Sequence, residues 1–315
     1  MEIKYYDKGR FIKNTQHSNI KNGVLLCKKC QRWYPIEDSI LIILPDNLIK
    51  YDHQNFISKY GDRFRRNNKK ESIKNHEDTL KINEINKRDE EADIYHNFGS
   101  EFHDKTEREH FLRILRPDYN EVIIELGCGT GRITEDFAGK VSDYIAIDFS
   151  KKSLELLKKK VKADILCVKG DVCNLPIRDG IASKIISAQV FEHIPGENEQ
   201  QKFVKEIRRV LKNGGQAGLT IYNYSIEKRW KRDFQKKGFH ADKIYYENFT
   251  SKELLKYFQS CFEILELRGI NCYLPKLSRL NNNFLRRLIE SILSRTFLNS
   301  FLGNIWLLSI RKGQS

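Results

Sequence analysis

No apolar run in this 315-residue chain is long enough to cross a bilayer. The strongest one near the N-terminus, Ile40 to Leu44, is far too short, and the opening Met1-Glu2-Ile3-Lys4-Tyr5-Tyr6 lacks the apolar core of a secretion signal. Cysteine is sparse: seven residues, scattered, with only Cys27 and Cys30 in a metal-like spacing. That excludes a disulfide framework and suits a reducing compartment. The expectation is a soluble, cytoplasmic protein, with peripheral membrane contact left open. No internal repeat is visible, which excludes a repeat architecture.

Acidic residues are the minority charge. Against 56 Lys and Arg stand 42 Asp and Glu, leaving a formal net charge of +14 and a pI near 9.3. Such a balance favours anionic partners: a phosphorylated substrate, nucleic acid or a membrane surface. Lys, Asn and Ile are abundant along the whole chain, however, so a general compositional bias accounts for the same charge.

Composition divides the chain into three. Residues 1–50 read as short strands and turns and form a small β-rich segment. Residues 51–95 are rich in charge and Asn, with too few apolar residues for a core of their own, and read as a helical linker with exposed helices. From residue 96 to 315, strand and helix patterns alternate. Strands are expected at 121–126, 144–147, 165–168, 185–190 and 217–222, followed by a closing pair at 262–267 and 305–310. Helices fall between them, including 131–138, one capped by Ser150, and 201–211 ending at Asn213-Gly214-Gly215. Such alternation predicts an α/β fold, a doubly wound, mostly parallel seven-stranded sheet covered on both faces.

The chemistry is concentrated in Val122-Ile123-Ile124-Glu125-Leu126-Gly127-Cys128-Gly129-Thr130-Gly131-Arg132. An apolar strand runs into glycines on alternate positions, and a helix follows. Glycine permits positive φ and lets a ligand approach bare backbone, while the free N–H groups of a helix start suit a carboxylate. A dinucleotide fingerprint needs its third glycine where Arg132 stands. With Glu125 two residues ahead, the spacing reads as a site for S-adenosylmethionine, whose ammonium an acid there attracts directly or through water. Asp148 ends the next strand, placed to accept from ribose hydroxyls. Asp171 lies at the following lip, where it can accept from an adenine amino group while Val172 offers its N–H. An ordinary cap at Asp148 and an ordinary turn at Asp171 are the alternatives. Gln189-Val190-Phe191-Glu192-His193 closes the fourth lip.

Together with Leu175-Pro176 and Leu211-Lys212-Asn213-Gly214-Gly215, these residues resemble the class I S-adenosylmethionine-dependent methyltransferases, nearest the group acting on small molecules, quinone precursors and lipids. The resemblance implies cofactor contacts at Glu125, Gly127, Cys128, Gly129, Gly131, Asp148, Phe149, Asp171, Val172 and Gln189. Ala182-Ser183-Lys184 stands where that group often has an Asp. His193 is the general-base candidate, oriented by Glu192. Alternatively the pair holds a divalent metal or merely starts the next helix.

The stretch from Leu25 to Pro45 is similar to half of a small zinc ribbon known as a methyltransferase activator. Zinc wants four ligands, and one Cys-x-x-Cys supplies two. The favoured reading is a degenerate ribbon without metal. The other is zinc at Cys27 and Cys30, completed by His17, His53 or a second subunit.

On the substrate side, Glu227 to Lys237 interleaves cations with aromatics, as a phosphate-gripping lid or a solvated helix. Asn283 to Phe301 forms a basic amphipathic pattern, either packed on the sheet or resting on an anionic membrane. The expected activity is methyl transfer to O, N or C of a small-molecule or lipid- or glycan-linked acceptor, with an anionic acceptor favoured by the charge. A tRNA ribose or wobble-position methyltransferase is the alternative; the chain lacks an Asn-Pro-Pro-aromatic run and a Pro-Cys nucleophile, which excludes two other RNA chemistries. A noncatalytic cofactor-binding scaffold subunit is the reading of another class.

Overall fold

The computed structural model describes residues 2–7, 10–13, 20–27, 33–45, 47–49, 54, 56, 58, 76–94, 101–230, 234–240, 243–272, 285, 292, 296 and 299–314. Five strands come first: β1 (Glu2–Asp7), β2 (Arg10–Lys13), β3 (Gly23–Leu26), β4 (Trp33–Glu37) and β5 (Ile40–Ile43). Helices α1 (His76–Glu91) and α2 (Glu101–Leu115) lead into β6 (Val122–Leu126). There follow α3 (Thr134–Phe137), β7 (Asp143–Asp148), α4 (Lys151–Lys160), β8 (Leu166–Gly170) and β9 (Ala182–Ala188). Next come α5 (Glu197–Val210), β10 (Leu211–Tyr222), α6 (Ile226–Trp230) and the hairpin of β11 (Lys237–Phe239) and β12 (Tyr245–Glu247). The described chain closes with α7 (Ser251–Phe258), β13 (Glu263–Cys272), α8 (Asn299–Leu302) and β14 (Gly303–Arg311).

Seven strands in the order β13-β14-β10-β9-β6-β7-β8 form the expected sheet. Pairing is parallel from β10 through β9, β6 and β7 to β8, and β14 lies antiparallel between β10 and β13. The fold is therefore α/β and doubly wound. Apolar residues on consecutive positions explain the burial of both faces: Ile123 packs with Phe111, Leu115, Leu154 and Leu157, while Ile124 packs on the opposite side with Phe203, Ile207, Leu254 and Phe258. Ser150 caps α4 by accepting from Ser153 N at 3.0 Å, as its position predicts.

The N-terminal strands continue this sheet. β5 pairs in parallel with β8, and β4, β3, β1 and β2 extend the order to twelve strands. Without β5, the backbone groups of β8 would form an open edge. Ile40 and Ile42 are buried in that strand.

Three local expectations are corrected. The helix expected to reach Leu211 ends at Val210, and Asn213-Gly214-Gly215 lies within β10, where the register shifts between Leu211 and Gln216. The helix expected over 131–138 shrinks to Thr134–Phe137 and a 3-10 turn at Ala138–Lys140. Most consequentially, α1 is not an exposed linker helix: Asp78, Lys81 and Ile85 are buried. Most of the segment 283–301, together with His17, Cys30, His53 and the arginines Arg63, Arg65 and Arg66, lies outside the described residues.

Phe191 shows how tightly the site's floor is packed. It is fully buried, with the rings of Phe203, Phe249, Tyr257 and Phe258 at 5.1–5.6 Å. Phe191→Ala should destabilise the fold by about 3–5 kcal/mol. Urea unfolding measures this, and a loss below about 1 kcal/mol would contradict the packing.

Candidate cofactor and acceptor site

The turn after β6 is built by three glycines with positive φ: Gly127 at 71°, Gly129 at 52° and Gly131 at 88°. They do different work. A Cβ on Gly127 would meet Val190 Cγ2 at 2.3 Å, and one on Gly131 would press on Leu157 at 3.1 Å. Both allow close packing. A Cβ on Gly129 would meet nothing within 4 Å, and Gly129, like Gly127, lines a cavity. Its bare backbone leaves the turn open to a ligand. Cys128, by contrast, is buried, and its N–H joins that of Gly127 in donating to Ile147 O, at 3.1 and 2.8 Å.

Asp148 lines the same cavity from the end of β7. Its Oδ2 accepts from Gly129 N and its Oδ1 from Ser150 N, each at 2.8 Å. The carboxylate is thereby fixed in orientation, and each oxygen keeps a second lone pair for a ligand. Burial pushes its pKa up, against the pull of the two N–H groups.

Asp171 stands at the other end. Its Oδ1 accepts from Cys173 N at 2.8 Å, and its Oδ2 from Lys81 Nζ at 2.7 Å. Lys81 comes from α1, as do Glu84 and Arg88 on the same wall. The sequence reading missed all three. Gly127, Phe149, Val172, Gln189 and His193 complete the expected residues found at the cavity.

Glu125 is not among the residues lining it. Its carboxyl is buried and accepts from Thr134 Oγ1 and Tyr144 OH, both at 2.6 Å. Burial raises its pKa to about 7, the two hydroxyls opposing. Gly131 and Glu192 also stand behind the wall rather than on it. Glu192 does not orient His193. Its carboxyl is fully buried, both oxygens lack a hydrogen-bond partner, and burial raises its pKa well above the ordinary range. His193 Nδ1 lies 2.7 Å from Tyr245 O instead, so Nδ1 carries the proton and Nε2 offers a lone pair. Burial holds the His193 pKa down at about 3, with Arg88 adding to the effect. The imidazole is neutral at physiological pH.

Above His193 sits the β11–β12 hairpin. His240 lies 5.9 Å from the His193 ring, and Tyr222 5.7 Å, with Tyr246 4.5 Å from His240. Three of the lid cations have partners within the protein. Lys228 donates to Asn223 O and Asn248 Oδ1 at 2.8 Å, Arg229 donates to Tyr224 O at 2.9 Å, and Lys236 pairs with Glu253. Trp230 is left 83% exposed at the rim. Among the described residues, no group of three or more His, Cys, Asp or Glu side chains is placed to hold a metal ion, and no helix is long and apolar enough to cross a membrane.

The raised pKa of Glu125 has a measurable consequence. A buried acid that titrates near 7 folded and near 4.5 unfolded costs stability as pH climbs through that interval, because the unfolded chain ionises first. Glu84, raised by burial to about 7, contributes with the same sign. Glu125→Gln should therefore flatten the fall in stability between pH 4.5 and 7 relative to wild type. Denaturation at several pH values checks this, and parallel profiles would refute it.

Comparison with known proteins follows the same residues. Positions 124–219 match the family described as "Methyltransferase domain". An uncharacterised methyltransferase-like protein of Schizosaccharomyces pombe is 34% identical over 104 residues, 33% of this chain and 39% of its own length. The human protein named probable tRNA methyltransferase 9B is 30% identical over 126 residues, 40% of this chain and 26% of its own. The demethylmenaquinone methyltransferase of Lactobacillus johnsonii is 29% identical over 120 residues, 36% of this chain and 48% of its own. The matched stretches thus span between a quarter and a half of these relatives. Among solved structures, similarity extends to a chain of the complex between the Haloferax volcanii Trm112 methyltransferase activator and a provisionally assigned methyltransferase. It has a TM-score of 0.54 at 17% identity and covers 72% of this chain and 97% of that one. The N-methyltransferase NodS of Bradyrhizobium japonicum, bound to S-adenosyl-L-homocysteine, gives 0.51 at 13% identity, covering 73% and 98%. Residues 124–219 are thus similar in sequence to that family, and the chain shares the fold of these two solved structures.

Proposed function

We propose that the protein is an enzyme that transfers a methyl group from S-adenosylmethionine to an O, N or C atom of a small-molecule or lipid- or glycan-linked acceptor. One observation carries the cofactor: a half-buried Asp148 carboxylate, held by the N–H groups of Gly129 and Ser150, on the wall of a cavity whose backbone is bared at Gly129. When bound, the cofactor supplies an electrophilic methyl on a sulfonium. Asp148 holds the ribose hydroxyls, and the Gly129 turn faces the amino-acid portion. Asp171 and Val172 face the adenine, with Phe149 beside them. Alignment of donor and acceptor can supply much of the rate of an in-line displacement.

His193 faces the acceptor. Its Nε2 lone pair accepts the acceptor's hydroxyl or amine proton and orients it, and its low pKa makes this hydrogen-bonding role more fitting than strong base catalysis. Glu192 is buried beside it, its pKa raised by that burial. The aromatic and imidazole groups of Tyr222, His240 and Tyr246 suit an apolar or ring-bearing acceptor. Lys228, Arg229 and Lys236 are engaged within the protein, which leaves a phosphate grip at the lid without those three cations. The RNA reading retains the basic charge and the likeness to the human relative. Peripheral membrane contact, a cytoplasmic location and a metal-free ribbon remain part of the proposal.

Incubating purified protein with methyl-labelled cofactor and fractionated cell extract tests the reading. Label is expected among small molecules or lipids. Label confined to RNA would overturn the acceptor class, and cofactor binding without any transfer would favour the scaffold. Asp148→Ala should weaken S-adenosylmethionine binding by at least roughly tenfold in calorimetry, since it removes charge-assisted hydrogen bonds. Undiminished affinity would overturn the ribose assignment.

A further inference from the structure

Lys81 is an unusual neighbour for a cofactor site. It rises from α1, in a segment whose composition resembles a solvated linker, yet it is buried at 5% exposure. Its Nζ lies 2.7 Å from Asp171 Oδ2 and 2.5 Å from Glu199 Oε2. Asp171 belongs to the loop after β8 and Glu199 to the first turn of α5. One ammonium therefore ties three separate elements together at the end of the cavity. Burial alone would depress the Lys81 pKa, but the Asp171 carboxylate, Cys173 and the hydrogen bond to Glu199 together outweigh it, so the net shift is upward. The lysine is charged at physiological pH.

Two of its three N–H donors serve the carboxylates, and Lys81 itself lines the cavity. Three further α1 and post-α1 residues, Glu84, Arg88 and Ala92, line the same wall. Lys202 meets the other Glu199 oxygen at 2.5 Å from the solvent side, with 59% of its side chain exposed. It shares a partner with Lys81 without touching the cavity, which makes it a control.

We infer that Lys81 is the positioning residue for the adenine end of the cofactor: it fixes the orientation of the Asp171 carboxylate as the acceptor for the 6-amino group, and it holds α1 as the roof of that end. This inference rests on the cofactor reading above. Its physical basis is the geometry of the pair. With Oδ1 on Cys173 N and Oδ2 on Lys81 Nζ, the carboxylate is held in one orientation and offers acceptors to that end, which selects a 6-amino over a 6-oxo purine. Without the ammonium that orientation is lost, and the carboxylate no longer meets either base at a fixed edge. Loss of Lys81 should then erase discrimination between the two bases as well as affinity.

The test compares S-adenosylhomocysteine with S-inosylhomocysteine by calorimetry on the full chain. Wild type should bind the adenosyl ligand at least roughly tenfold more tightly, the scale expected when a buried hydrogen-bonding group is left mispaired. Lys81→Met should lose roughly tenfold in adenosyl affinity and most of that preference, and Lys202→Met should keep both. A loss of packing alone would lower both affinities together and leave their ratio standing. If Lys81→Met does not fold, Lys81→Gln replaces it, with the same expectation. Wild-type binding followed by an unchanged preference in the Lys81 variant would overturn the role of Lys81 and leave the cofactor reading intact. Failure of wild type to bind S-adenosylhomocysteine would overturn both.

Discussion

The parallel pairing of β6, β7 and β8 is the constraint on which the rest of the site depends. Leu126 stands opposite Ile147 and Ile147 opposite Val168, so the three strands run out at nearly the same level. Their connecting loops must therefore emerge side by side at one edge of the sheet. The glycine turn is fastened to that edge by the Gly127 and Cys128 N–H groups on Ile147 O. Asp148 is fastened to the turn in its own right through Gly129. Slip the register by one residue and the apolar side chains change faces, so burial of Ile123, Ile124, Ile145 and Ile147 defends the geometry of the cavity.

Electrostatically the cavity is a place where carboxyls outnumber cations. Glu84, Asp148 and Asp171 line it, and Glu125 and Glu192 lie just behind, against Lys81 and Arg88. Burial raises the pKa of Glu84, Glu125, Asp148 and Glu192. Such groups ionise more readily when a positive charge enters. A ligand bearing a sulfonium and an ammonium brings that charge with it. The electrostatics and the shape of the glycine turn thus favour the same kind of molecule, which supports the proposed cofactor on two independent grounds.

Much of this was readable from the chain. Strand–glycine–helix succession is a local pattern, so the seven-stranded sheet, the turn and the placement of Asp148 and Asp171 at strand ends could be located from residue order. What escaped is non-local or polar. Helix α1 buries Asp78 and Lys81 beside a single apolar Ile85, and a search for apolar periodicity has no purchase on a face buried through ion pairing. His193 and Glu192 are adjacent in sequence, which suggested a pair. Their partners are decided by Tyr245, brought over by a hairpin some fifty residues later, and by an apolar floor that leaves Glu192 alone. Glu125 is expected to meet the ligand from its place two residues ahead of the glycines, yet the hydroxyls of Thr134 and Tyr144 hold its carboxyl within the protein.

The pairing of β5 with β8 also dictates an order of events during synthesis. Ile43 sits opposite Gly170, more than a hundred residues downstream. At roughly 5–20 residues per second on the ribosome, β5 waits for several seconds before the strand it lies against exists. Through that interval Ile40 and Ile42, buried in the finished molecule, have nothing from β8 to cover them. The parallel pair that extends the sheet beyond β8 therefore forms only after the whole stretch between the two strands has been made.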